Sequence, residues 1–149
     1  MALDTGVIIE YIDKKGKYHK PAETLFNTLL KGKLEAIIPH PVLTEVHYVI
    51  YRIYKAIGLR NAEERATKLV RWLYYLPTVE VKGEDLSLAL EAARVKLKYG
   101  IALTDCYVIA SARIYNGKAV FRKREKEMLE KIDEIVKEYP VVFLEDYLA

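Results

Sequence analysis

Cysteine is nearly absent: Cys106 stands alone among 149 residues. A single thiol excludes an internal disulfide and a thiolate metal cage, and an intracellular, cytoplasmic location is the default expectation. Glutamine is missing, asparagine occurs three times and methionine twice, while Lys, Arg and Glu abound. Such depletion of heat-labile residues is the composition expected of a protein from a hot environment. No apolar run approaches the roughly 18 residues of a membrane span. No basic segment leads into a long apolar stretch at the start, so no signal peptide is expected either. His19, His40 and His47 lack a zinc-binding spacing. There is no glycine-rich phosphate loop, and Cys106 has no adjacent base to make it a nucleophile.

With 52% hydrophobic and 30% charged residues, the chain is globular, and its length suits one domain, 1–149. Linkers, repeats and low-complexity segments are lacking. Short apolar runs (Ala36–Pro39, Thr78–Val81, Ala119–Phe121, Val141–Leu144) alternate with helical spacings. Helices are expected over Gly6–Asp13, Pro21–Lys31, Leu43–Ile57, Asn61–Tyr75, Leu86–Tyr99 and up to Tyr115. Asp85 and Thr104 stand where caps would, and Glu125–Tyr139 reads as one charged helix. The alternation implies a three-layer α/β/α sandwich with a mostly parallel sheet, whose strands are covered on both faces.

Three carboxylates interrupt apolar stretches: Asp4 between Met-Ala-Leu and Gly6-Val-Ile-Ile, Glu45 before Val46, and Asp105 before Val108-Ile-Ala. An ionised carboxylate beside a core is unfavourable unless it is paired or bound to a metal. Each has a bland explanation. Asp4 could cap the turn before Gly6, Glu45 could cap near its helix start, and Asp105 could favour the positive end of a helix. Helix winding nevertheless sets Asp105 within about 20° of Ala112 and about 40° of Ile109, on the inward side, and Glu45 within about 40° of Val49. Clustered carboxylates repel unless a cation lies between them. Oxygen ligands without His or Cys select Mg²⁺ or Mn²⁺ over Zn²⁺, an ion suited to phosphodiester hydrolysis. Thr5 and Thr104 flank two of the acids as caps, phosphate ligands or orienting hydroxyls.

Net charge is +3, a weak bias towards an anionic partner. Arg122, Lys123 and Arg124 are either a solvated helix start or an edge that binds a nucleic-acid backbone. Twelve tyrosines, among them Tyr48, Tyr51 and Tyr54, and the group Trp72, Tyr74 and Tyr75, exceed what one core can take up. They either pack between helices or form a partner surface.

The run Leu3-Asp4-Thr5-Gly6-Val7-Ile8-Ile9 resembles the opening of a PIN domain. Leu43-Thr44-Glu45-Val46 is similar to that family's second acidic motif, and Leu103-Thr104-Asp105-Cys106-Tyr107-Val108-Ile109-Ala110 to its third. The three occur in order along nearly the whole chain, as in VapC-type toxins. The resemblance implies a five-stranded parallel sheet and Mg²⁺- or Mn²⁺-dependent cleavage of single-stranded RNA. It also implies Asp4, Glu45 and Asp105 as metal-site acids, a homodimer, and a small DNA-binding antitoxin held near the site. The family's fourth motif, Thr-x-Asp-x-x-Phe, meets Lys123-Arg124-Glu125-Lys126-Glu127-Met128 here. Glu125 aligns with the acid and Glu127 is the second choice; the Thr is absent and the Asp has become Glu. The same residues also suit a PIN fold without catalysis, or an RNA-processing nuclease that is no toxin.

Overall fold

The short apolar runs form strands in the computed structural model, which describes residues 1–148. They are β1 (Ala2–Leu3), β2 (Ala36–Pro39), β3 (Val79–Lys82), β4 (Ala119–Phe121) and β5 (Val141–Phe143). All pair in parallel, in the order β3-β2-β1-β4-β5. The central strands β1 and β4 are buried throughout, which explains their lack of polar alternation.

Eight helices connect them: α1 (Thr5–Ile12), α2 (His19–Leu30), α3 (His40–Ala56), α4 (Ala62–Tyr75), α5 (Leu86–Tyr99), α6 (Leu103–Ile114), α7 (Lys126–Leu129) and α8 (Ile132–Glu138). Crossovers between parallel strands are right-handed. Those running from β1 towards β3 therefore lay α1 to α4 on one face, and those running back lay α5 to α8 on the other. Accordingly, α6 lies on β1, β2 and β4, with α5 packed against it. The sandwich expected from the sequence is the one observed. Leu3, Ile38, Phe121 and Phe143 from the sheet meet Phe26, Leu29, Ile50, Leu88 and Ile109 from the helices in full burial. Each such side chain contributes roughly 1.5–3 kcal/mol relative to exposure. Among the described residues no helix is long and apolar enough to cross a membrane.

Local chemistry sets the helix ends. The Asp85 carboxylate accepts the Ser87 and Leu88 N–H groups at 2.9 and 3.4 Å and starts α5, while Gly100, at φ +66°, ends it in a conformation that costs other residues strain. Two expectations need correction. Thr104 does not cap α6, which begins at Leu103 after Ala102; its hydroxyl is drawn to a carboxylate instead. The expected helix over Glu125–Tyr139 is two, because the Lys131 N–H closes a tight turn on the Met128 carbonyl at 2.9 Å and α8 starts afresh after Lys131. No Gly, Pro or Asn marks that break in the sequence.

Strand order reverses between β1 and β4. Open parallel sheets bind ligands at such a point, beyond the carboxyl ends of the strands. Asp4 follows β1 there, with its N–H on the Val120 carbonyl at 3.1 Å. Arg122 follows β4, and α3 springs from the end of β2.

Candidate functional site

Asp4 joins β1 to α1. Its backbone is extended and its Oδ2 accepts the Gly6 N–H at 3.0 Å, so it is a helix cap. It is also a carboxylate under stress. Burial pushes its pKa up to about 6; the Gly6 N–H opposes this, the charge of Glu45 adds to it, and Arg122 opposes it more weakly. Thr5 opens α1 as a buried residue, and its hydroxyl has no hydrogen-bond partner among the described residues.

Glu45 lies in the second turn of α3, too far in to cap it. Its Oε2 accepts the Thr104 hydroxyl at 3.0 Å and, more loosely, the Tyr48 hydroxyl at 3.4 Å. The first of these ties α3 to α6 over the edge of the sheet and aims the carboxylate, since hydroxyls bond strongly to ionised acceptors. Asp105 is in the first turn of α6. Burial pushes its pKa up to about 8, with further increments from Asp4, Glu45, Glu127 and Glu125, in that order.

β1, α3 and α6 thus bring three carboxylates into one another's electrostatic field, with Glu125 and Glu127 at the margin. Glu125 precedes α7 without capping it, and its Oε1 accepts from Arg122 Nη2 at 3.2 Å. Arg122 Nη1 faces Glu10 Oε1 at 3.6 Å. Arg124 turns to the last helical turn, bonding Glu145 at 2.9 Å and Asp146 at 2.7 and 2.9 Å. Of the three basic residues, only Lys123 has no ion-pair partner among the described residues.

The sequence reading overlooked Glu10. It is buried, and its Oε2 accepts the Tyr18 N–H at 3.0 Å. The signal was available: in a helix as apolar as α1, a carboxylate three residues after Val7 falls on the inward side.

Among the described residues no three His, Cys, Asp or Glu side chains stand together so as to hold a metal ion. The donor set still fits a small hard cation that retains much of its water, as Mg²⁺ does when one or two carboxylates hold it. It offers carboxylate and hydroxyl oxygens, and burial, with the charges of neighbouring acids adding to it, holds Asp4 and Asp105 above their ordinary pKa. Asp4, Glu45 and Asp105 would hold such an ion.

A family model described as PIN domain matches residues 1–135. No curated protein matches the chain in sequence. Among solved structures, a toxin–antitoxin complex from Klebsiella pneumoniae is similar at 14% identity, TM-score 0.60, covering 96% of each chain. VapC20 from Mycobacterium tuberculosis, a sarcin-ricin-loop-cleaving toxin, matches at 15% identity and TM-score 0.61, over 78% of this chain and 83% of that one. VapBC2 from Rickettsia felis, bound to a DNA fragment from its promoter, matches at 14% identity and TM-score 0.60, over 87% and 90%. At these identities the structural likeness speaks for the fold; the family model, spanning most of the sequence, goes further, and the chain belongs to the PIN domain family.

Proposed function

We propose that this protein is a divalent-metal-dependent endoribonuclease that hydrolyses phosphodiester bonds of single-stranded RNA in the cytoplasm, the toxin of a toxin–antitoxin pair. The observation that carries the reading is the gathering of Asp4 and Asp105, both held above the ordinary carboxylate range by burial and by neighbouring acid charge, with Glu45 beside them at the switch point of the sheet. Neighbouring acids left without a cation of their own suit a cation that comes from outside. Mg²⁺ or Mn²⁺, when bound, supplies polarisation of water and of the phosphodiester.

The chain's own residues do the rest. The Gly6 N–H fixes Asp4, and the Thr104 hydroxyl fixes Glu45. Asp105, whose pKa burial raises to about 8, would hold such an ion only as the carboxylate, having lost its proton. Lys123 offers a charge to the RNA backbone, while Arg122 and Arg124 face carboxylates of the chain itself. Trp72, Tyr74 and Tyr75 are exposed on α4, an apolar surface suited to the antitoxin. Leu86, Leu90 and Leu97 are exposed along α5, a stripe suited to a second copy in a homodimer.

A second reading, a PIN fold kept as a binding module, draws support from Glu125, which is engaged by Arg122. One experiment separates them: mixed RNA is incubated with and without Mg²⁺, alongside Asp105→Asn. The nuclease reading expects ion-dependent cleavage, reduced at least about 100-fold in the variant. Equal turnover by both proteins would sink it; no cleavage, with no Mn²⁺ binding, would favour the binding module.

A further inference from the structure

Among the described residues Arg122 is the one cation built into the wall of the acid cluster, and its setting is specific. The residue leaves β4 and crosses the first turn of α1. A Cβ added at Gly6 would come within 3.1 Å of both Arg122 Cβ and Asp4 Oδ2. A side chain at Gly6 would press on both the arginine stem and the Asp4 carboxylate.

Beyond Gly6, the guanidinium lies between two acids, Glu125 at 3.2 Å and Glu10 at 3.6 Å. Glu10 is itself an immobilised partner, buried, bonded by the Tyr18 N–H and closed over by Gly16, where a Cβ would lie 2.2 Å from its Oε2. The Arg122 Nε is fully buried and has no acceptor. A surface arginine drawn to loose counter-charges would leave that atom in water. Arg122 is instead held, and brings a planar guanidinium charge to the site.

We propose that the Arg122 guanidinium stands in the place of a second cation, so that the acid cluster takes one divalent ion and Glu125 is withheld from binding it. This rests on the metal-dependent reading above. A second divalent ion at Glu125 would have to share the carboxylate with the guanidinium and bear its repulsion. The departure of the fourth motif from the family pattern is, on this view, a substitution of one positive charge for another. Arg122 is a positioning residue: it acts on the ion count through Glu125.

The test is Mn²⁺ titration of the full chain by calorimetry, with circular dichroism to confirm folding. Wild type is expected to bind one ion, Arg122→Ala two, and Arg122→Lys one again. Glu125→Gln, in the otherwise unaltered chain, is expected to change affinity less than about 2-fold, against the about 10–100-fold loss typical when a ligand or its support is removed. Two ions in wild type would overturn the proposal and leave the nuclease reading standing. No ion in wild type would overturn both. A folded Arg122→Ala that still binds one ion overturns the proposal as well. If that variant does not fold, Glu125→Gln decides: a 10-fold or greater loss of affinity rejects the proposal.

Discussion

Two groups of acids in this molecule share a chemistry and differ in company. On the α5–α8 side, buried Glu91 accepts from Arg94 at 3.0 Å and from the Tyr139 hydroxyl at 2.8 Å, with Arg113 at 3.6 Å. Nearby Glu138 is bonded by Lys98 and by the Tyr99 hydroxyl. At the carboxyl edge of the sheet, Asp4, Glu45 and Asp105 receive hydrogen bonds or each other's repulsion, and only Arg122 brings positive charge near Asp4. The chain has 24 Lys and Arg residues, so the difference is one of placement. Acids given cations by the chain hold helices together. Acids denied them are kept ready for one from solution.

Substitution on each side should separate the two roles. Asp105→Asn replaces a carboxyl that burial and acidic neighbours disfavour in its ionised form, so cleavage falls at least about 100-fold while the ion-free protein melts no lower than wild type. A lower melting temperature would put Asp105 with the structural acids. Glu91→Ala should do the reverse. Leaving the Tyr139 hydroxyl and two arginines without their acceptor costs about 2–4 kcal/mol in urea denaturation, with cleavage per folded molecule unchanged.

The two groups should also answer pH with opposite sign. In the fold Asp105 and Asp4 hold their protons up to about 8 and about 6, against an ordinary value of 3.8. Their contribution to stability is complete below pH 3.8 and is lost as pH rises through 6 and 8. The Lys98 and Tyr99 bonds hold Glu138 below its ordinary 4.5, so its contribution is present above that value and lost as pH falls through the lowered pKa. Without divalent ion, the protein should melt at a lower temperature at about pH 8.5 than at about pH 5, with the difference reduced in Asp105→Asn and by Mn²⁺. A level melting temperature across that range would contradict the coupling. The smallest effect belongs to Thr104→Val, which removes the hydroxyl on Glu45: Mn²⁺ affinity should drop about 10-fold with stability nearly unchanged. Undiminished affinity would show that Glu45 needs no such aid.

The acids were legible because each breaks an apolar run, a pattern that burial makes costly. Helix α5 was legible for the same local reason, with a carboxylate cap before it and a glycine after it. What lay hidden depends on contacts distant in sequence. Thr104 has a hydroxyl that suits a cap, and only the approach of α3 reveals the carboxylate that takes it. Arg122 and Arg124 read as a basic cluster until the fold brings Glu10, Glu145 and Asp146 beside them. The alternation of elements spoke for parallel strands, but their order is set by how helices pack on the sheet, which no local pattern records.

Strand β1 has consequences for synthesis. It leads into Asp4 and lies between β2 and β4, yet β4 is made more than a hundred residues later. At translation rates of 5–20 residues per second, roughly 6 to 23 seconds separate Asp4 from its neighbour across the sheet. During that interval the growing polypeptide has the parts of a site and no sheet to gather them. Any hydrolytic power the finished molecule holds is therefore withheld from the ribosome that is still making it.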